Sequence, residues 1–144
     1  MELKSLPKAY YKYANIELNE KDKEVKDKVV ITLSLYIACK LEKACYHNDW
    51  TNQRIIKEML LKSGILTEEE LDLKDTIRKK YEFEDMSPND CRNIKANKQI
   101  NIYLSKYAKD KLYKELVKKG YELTFLIKKE LVKADIIQIE DLSY

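Results

Sequence analysis

The sequence predicts a mainly α-helical protein with one short two-stranded antiparallel ribbon, built from two copies of one small unit. The main observation is an internal repeat, in which residues 28–65 align without gaps on residues 99–136 with 12 identities in 38 positions. This composition would give roughly three identities by chance. The chain also has only two glycines and two prolines in 144 residues, which favours long helices.

The first copy, residues 28–64, reads as a strand followed by two helices. Residues 28–33 (KVVITL) are rich in β-branched side chains and predict a strand, which Ser34 ends. Apolar residues then recur at helical spacing over 35–47 and again over 51–63. The unit is therefore strand, helix, helix.

The boundaries between the elements of this copy carry residues that are typical of turns and helix caps. Asp49 tolerates the left-handed conformation that would separate the two helices. Thr51 is a predicted N-cap of the second helix, and Gly64 is a natural stop after it.

The second copy, residues 98–134, has the same order. Residues 98–104 alternate between polar and apolar side chains, which predicts a strand with one buried face. Helices are predicted over 106–119 and 122–133, and Gly120 separates them where the first copy has an aspartate.

Three further segments complete the predicted organisation. Residues 1–27 are polar and rich in tyrosine and predict an N-terminal arm or short helix. Residues 65–97 are predicted as a linker, in which Thr67 opens a helix with a capping box that runs to about Lys80. Residues 135–144 form a tail.

The alternation within the two strands separates an inner from an outer face. The inner residues are predicted to be core: Val29, Ile31, Leu33, Ile100, Ile102 and Leu104. The outer residues face away from the helices: Lys28, Val30, Thr32, Gln99, Asn101 and Tyr103. For a lone strand, a solvated polar face would be the ordinary interpretation.

Taken together, these residues resemble the ribbon-helix-helix (Arc/MetJ/CopG-like) family of DNA-binding proteins. The clearest stretch is INIYLSKYAKDKLYKELVKKGYELTFLIKKEL, residues 100–131, and VITLSLYIACKLEKACYHNDWTNQRIIKEML, residues 30–60, has the same spacing. The two copies cover about half of the chain, and the plan is similar to tandem ribbon-helix-helix regulators of archaeal viruses. The resemblance implies a tandem pseudo-dimer, in which the two strands pair within one chain and four helices share one core.

The resemblance also implies how such a protein would bind double-stranded DNA. The outer ribbon residues named above would contact base edges in the major groove, where each base pair has its own donor and acceptor pattern. The start of each second helix would direct backbone N–H groups at a phosphate. Those groups belong to Trp50, Thr51 and Asn52 in the first copy and to Tyr121, Glu122 and Leu123 in the second. Glu122 departs from the family, which usually has a small polar residue there, and its carboxylate repels a phosphate.

Composition restricts the remaining functional classes. The formal net charge of +3 is a mild indication of an anionic partner. No apolar run is long enough to span a membrane, and the first residues lack the apolar stretch of a signal peptide. We therefore expect a cytoplasmic, intracellular protein with reduced thiols, in the host cell if the protein is viral. We expect no enzyme, cofactor or metal: no nucleophile or phosphate-loop motif is present, and Cys39, Cys45 and His47 lack zinc-site spacing.

Three functions remain open at this point. The first is a sequence-specific transcription regulator from a virus or mobile element, with self-association on DNA as an open possibility. The second is a relaxosome or partition accessory protein that binds DNA near an origin. The third is a protein-interaction module, antitoxin-like or host-factor-blocking, that kept the fold without DNA binding.

Overall fold

The computed structural model describes residues 6–73 and 96–144. Two strands lie in these ranges, β1 (Lys26–Ser34) and β2 (Asn97–Ser105). The α-helices of the same ranges are α1 (Leu35–Asn48), α2 (Asn52–Ser63), α3 (Glu68–Leu71), α4 (Lys106–Lys119) and α5 (Leu123–Lys133). Short 3-10 helices cover Lys8–Tyr13, Glu20–Glu24 and Ile139–Ser143. The mainly helical fold with one two-stranded sheet is the predicted one.

The two strands pair with each other as an antiparallel ribbon. Val30 lies opposite Asn101 in the register, and the same two residues correspond to each other under the 71-residue offset of the repeat. The pairs on either side of Val30 and Asn101 therefore also correspond under this offset, so that Lys28–Tyr103 is equivalent to Gln99–Thr32. The ribbon is longer than predicted, because strand geometry begins at Lys26 and at Asn97 and continues to the serine that ends each strand.

The inner face of the ribbon forms the floor of the core. The six predicted inner side chains are buried, and the apolar faces of the four long helices cover them. In each helix the buried residues include those that the helical spacing indicates, such as Ile37 and Leu41 in α1 and Ile127 and Leu131 in α5. The core prediction is therefore confirmed at these positions.

The packing between helices joins the two copies. Helices α2 and α5 pack against each other, α2 also packs against β2, and α5 packs against β1. Each second helix thus rests on the strand of the other copy. Neither copy has a complete core alone, since burial of its apolar helix faces depends on the other copy.

The predicted boundaries between strand and helix, and between the two helices, are present in both copies. Ser34 Oγ accepts a hydrogen bond from the N–H of Ile37, and Ser105 Oγ accepts one from the N–H of Ala108, so each serine caps the helix that follows its strand. Asp49, with φ 54°, and Gly120, with φ 75°, adopt the left-handed conformation between the paired helices. The repeat therefore preserves local backbone geometry even where the residue types differ.

The segments outside the two copies differ more from the expectations. The capping box at Thr67 is present, but α3 ends at Leu71 because Asp72 takes the left-handed conformation, with φ 49°. The predicted helix to Lys80 is thus wrong beyond Leu71 within the described residues, and its remainder lies outside them. The described part of the N-terminal arm contains two 3-10 helices. In the tail, the buried carboxylate of Asp141 holds the last 3-10 helix on α1.

Across the described ranges, no helix has the length and apolar character needed to cross a membrane.

Candidate nucleic-acid interface

The outward face of the ribbon is a continuous surface of exposed side chains, which we call the ribbon face. It consists of Lys26, Lys28, Val30, Thr32, Asn97, Gln99, Asn101 and Tyr103. Two large apolar groups lie on it in the open, with Val30 40% and Tyr103 50% exposed. The six outer residues predicted from the sequence are all on this face. Lys26 and Asn97 were missed, although the alternation of the strands, extended towards their beginnings, includes both.

The ribbon face contains two lysines and no carboxylate. Among the described residues, acidic groups lie beside it. Lys26 Nζ is 3.7 Å from Asp72 Oδ2 in an ion pair that is exposed on both sides. A pair of this kind contributes little to stability, so it holds Lys26 only weakly. The side chains of the ribbon face itself are therefore positive in formal charge, which suits an anionic ligand, while Glu24, Glu69, Glu70 and Asp72 line a cavity together with Lys26 and Tyr103 at one end of the face.

Asp27 is the carboxylate closest along the strand, and it points towards the helices. Its Oδ1 accepts a hydrogen bond from the N–H of Lys28 at 2.8 Å, and its Oδ2 lies 3.4 Å from Lys109 Nζ. Partial burial alone would raise the pKa of Asp27, but these two donors outweigh burial and hold the pKa below its ordinary value. Asp27 is thus ionised, and Lys109 offsets its charge near the ribbon face.

The start of α2 lies against the edge of the ribbon. Gln53 Oε1 accepts a hydrogen bond from the N–H of Tyr103 at 3.0 Å. Thr51 Oγ1 accepts one from the N–H of Arg54 at 3.1 Å, which makes Thr51 the N-cap that was predicted. The first turn of α2 is therefore fixed relative to the ribbon face at the end that contains Tyr103.

Of the three backbone donors predicted in the first copy, one is already used. The N–H of Trp50 donates to the carbonyl of Cys45 at 2.9 Å, so this N–H is already engaged within the protein. This bond is the one that a helix makes when it ends in a left-handed residue, here Asp49. Within the described residues, the N–H groups of Thr51 and Asn52 have no protein acceptor.

The second copy has lost more of its predicted donors. The N–H of Tyr121 donates to the carbonyl of Leu116 at 3.0 Å, in the same geometry as Trp50. The N–H of Leu123 donates to the hydroxyl of Tyr10 at 2.8 Å. Glu122 is the N-cap residue but makes no side-chain cap bond. The N–H groups of Tyr121 and Leu123 are therefore already engaged within the protein, and Glu122 adds a negative charge at this helix start.

An aromatic cluster holds Tyr10 in this position. The Tyr10 ring meets Tyr113 of α4 edge-on at 5.1 Å between centroids, and Tyr13 stacks on the same ring at 4.8 Å. Lys114 Nζ donates to the carbonyl of Ile16 at 2.9 Å and fastens the next stretch of the arm. Burial raises the pKa of Tyr10 and of Tyr113, so both hydroxyls stay protonated in neutral solution. No local pattern could have revealed this contact, because Tyr10 and Leu123 are 113 residues apart.

The two thiols that the structure describes do not form a cluster with the histidine. Cys39 and Cys45 are buried in the core, whereas His47 is exposed near the end of α1. Cys45 Sγ lies 3.5 Å from the carbonyl of Thr51 and from Asn52 Oδ1, under the turn between α1 and α2. Among the described residues, no group of three or more His, Cys, Asp or Glu side chains is arranged to hold a metal ion.

Comparison with known proteins yields no relative, because the chain matches no family model, no curated protein and no solved structure.

Proposed function

We propose that this protein binds double-stranded DNA sequence-specifically and acts as a transcription regulator that inserts the β1–β2 ribbon into the major groove. The observation that carries the proposal is the ribbon face itself. It presents hydrogen-bonding side chains from both repeat copies, without a carboxylate, on an antiparallel ribbon whose other face is the floor of the core.

The dimensions of the ribbon support this function. Two strands lie about 4.8 Å apart, and the major groove, about 12 Å wide, admits a two-stranded ribbon. Lysine donates to guanine O6 and N7, glutamine and asparagine bond adenine N6 and N7, and threonine contacts the thymine methyl group. The ribbon face carries each of these residue types.

We also propose that the chain is a tandem ribbon-helix-helix pseudo-dimer. Its support is the register, in which Val30 and Asn101 are both strand partners and repeat equivalents. A separate copy would expose a strand edge and an apolar helix face. Covalent connection removes the bimolecular step and supplies a high effective concentration of the second copy.

In this proposal, only the first copy contacts a phosphate through backbone N–H groups. The N–H groups of Thr51 and Asn52 lie at the start of α2. Backbone N–H groups at the start of a helix are suited to bind an anion. The start of α5 has Glu122 and the Tyr10 hydroxyl instead. We therefore keep Thr51 and Asn52 as phosphate-contacting residues and withdraw Trp50, Tyr121 and Leu123.

Selection of bound duplexes from random DNA tests the proposal. Wild type is expected to enrich one motif, and Asn101→Ala and Lys28→Ala are expected to change the preferred bases within it. Asn15→Ala and Lys62→Ala are matched controls, since both residues are exposed and lie outside the ribbon, and should leave the motif unchanged. Failure of wild type to bind any duplex at low salt would refute the DNA-binding proposal.

Two observations favour a second candidate, a protein-interaction module on the same fold. The arm covers one of the two helix starts that would grip DNA, and the net charge is only +3. In that case duplex DNA would not bind, and Asn101→Ala and Lys28→Ala would weaken binding to a protein partner instead.

A relaxosome or partition accessory protein would use the same ribbon face on DNA. A relaxase or partition ATPase gene beside this one would favour that role.

A further inference from the structure

The two ends of the ribbon face are chemically different. At one end Lys28 lies opposite Tyr103, and at the other end Thr32 lies opposite Gln99. Under the offset of the repeat these pairs are equivalent positions, yet one end is cationic and aromatic while the other carries a hydroxyl and an amide. We call them the lysine end and the amide end.

We infer that the ribbon reads a directional DNA site, with a half containing a G·C pair under the lysine end and an A·T half under the amide end. This inference rests on the proposed function, because it concerns the bases that the ribbon face would contact. It goes further by assigning a different half-site to each end of the ribbon.

The chemistry of the two pairs leads to this assignment. Lysine recognises the O6 and N7 acceptors of guanine. Glutamine matches the N6 donor and N7 acceptor of adenine, and the threonine methyl group packs on the thymine methyl group. Gln99 and Thr32 lie opposite each other, so the amide end can contact both bases of A·T pairs at once.

The next residues outward continue the same difference. Lys26 extends the lysine end, and Asn97 extends the amide end, where it lies opposite Ser34. Both side chains are exposed on the ribbon face. The contrast between the two ends is therefore a property of two successive positions and does not depend on a single side chain.

The register also fixes the distance between the two contacts. Lys28 and Thr32 are four residues apart on one strand, which corresponds to about 13–14 Å. At about 3.4 Å per base pair, that distance is about four base pairs. Substitutions at the two ends should therefore change preferences at positions about four base pairs apart.

Two double substitutions test the inference, because each makes the pairs at positions 28/103 and 32/99 alike and leaves Lys26 and Asn97 unchanged. Thr32→Tyr with Gln99→Lys gives both ends the residue pair of the lysine end. Lys28→Gln with Tyr103→Thr gives both ends the pair of the amide end. All four positions are exposed on the ribbon face, and circular dichroism would verify the fold of each variant.

The expected result is a set of three related motifs from random duplexes. Wild type should select a site with two unlike halves. The first double variant should select a near-palindrome of the half containing the G·C pair, and the second a near-palindrome of the A·T half. Each variant should prefer its own palindrome over the wild-type site by about 5- to 150-fold, the range expected for one good side-chain–base pairing.

Other outcomes separate the inference from the function on which it rests. A palindromic wild-type motif, or double variants that retain the wild-type motif, would overturn the inference and leave DNA binding intact. Absence of any enriched motif for wild type would instead overturn the proposed function. If a double variant does not fold, the single variants Lys28→Ala and Gln99→Ala decide. If both single variants changed the base preference at the same base pair, rather than at positions about four base pairs apart, the inference would be contradicted.

Discussion

The backbone N–H of Leu123 donates a hydrogen bond to the hydroxyl of Tyr10 at 2.8 Å, which fastens the N-terminal arm to the start of α5. At the equivalent start of α2, the N–H groups of Thr51 and Asn52 lack acceptors among the described residues. Two helix starts that the repeat makes equivalent in sequence position have thus become different surfaces. The difference leads to separate expectations for the arm and for the two N-caps.

Tyr10→Phe should destabilise the protein by about 1–3 kcal/mol, because the buried N–H of Leu123 loses its acceptor. The loss would appear as a lower free energy of unfolding in urea and as faster hydrogen exchange of the Leu123 amide. Tyr11→Phe is the control, since the neighbouring Tyr11 is 39% exposed and should have little effect. Unchanged exchange at Leu123 in Tyr10→Phe would contradict the contact.

Thr51→Ala and Glu122→Ala should differ in their effect on stability, although the two positions correspond in the repeat. Thr51 caps α2 by accepting from the N–H of Arg54, and loss of such a cap costs about 1 kcal/mol. Glu122 makes no cap bond, so its substitution should change the free energy of unfolding by less than about 0.5 kcal/mol. Equal losses of unfolding free energy in urea would contradict this difference between the two N-caps.

Asp141→Asn should lower stability at neutral pH by about 2 kcal/mol, because a buried carboxylate accepts three hydrogen bonds there. The donors are the Lys40 ammonium at 2.7 Å, the Gln138 backbone N–H at 2.8 Å and the Tyr36 hydroxyl at 2.9 Å. Asp135→Asn is the control for the lost charge, since Asp135 is exposed and its left-handed conformation tolerates asparagine.

The pH dependence of the same variant has a definite sign. Burial alone would raise the pKa of Asp141, but the bonds from Lys40, Gln138 and Tyr36 outweigh burial and lower the pKa below its ordinary value. A lowered folded-state pKa adds stability that is fully present above the ordinary carboxyl pKa of about 4 and is lost as the pH falls through the folded value. Urea unfolding between pH 7 and pH 3 should therefore show the gap between wild type and Asp141→Asn narrowing in acid. If the difference in unfolding free energy between wild type and Asp141→Asn stayed constant with pH, that result would argue against the ion pair between Lys40 and Asp141.

The chain should fold as a monomer, because both strands of the ribbon belong to one polypeptide. Its melting temperature should then be the same over a hundred-fold range of protein concentration, whereas a dimer that folds only on association melts higher as concentration rises. Sedimentation should give the mass of a single chain. A fold that appears only in a dimer of chains would contradict pairing within the chain.

Much of the fold could be predicted because its signals are local and occur twice. Ser34 and Ser105, Asp49 and Gly120, and the apolar helix faces each mark a boundary or a buried side within a few residues. Which two strands pair was expected from the resemblance to the ribbon-helix-helix family. The strand starts were missed because Lys26 and Asn97 lie among charged and polar residues, where apolar content no longer marks a strand.

Two kinds of physical cause explain why some predicted donors at the candidate site are already bonded within the protein. Trp50 and Tyr121 follow a left-handed residue, and that conformation turns their N–H groups back onto the preceding helix, a consequence that could have been drawn from Asp49 and Gly120. The Tyr10 contact to Leu123 is different. It depends on how a 3-10 helix of the arm packs on Tyr113, and tertiary packing of this kind leaves no pattern in the sequence.

The central claim is that the ribbon face contacts DNA. The most direct measurement is a map of backbone amide and side-chain NH₂ chemical-shift changes on addition of the duplex that wild type selects. The account predicts that the largest changes fall on the ribbon face, including the side-chain amides of Gln99 and Asn101, and on the start of α2, with Leu123 nearly unchanged. Changes that avoid the ribbon face, or no changes at all with a duplex, would contradict it.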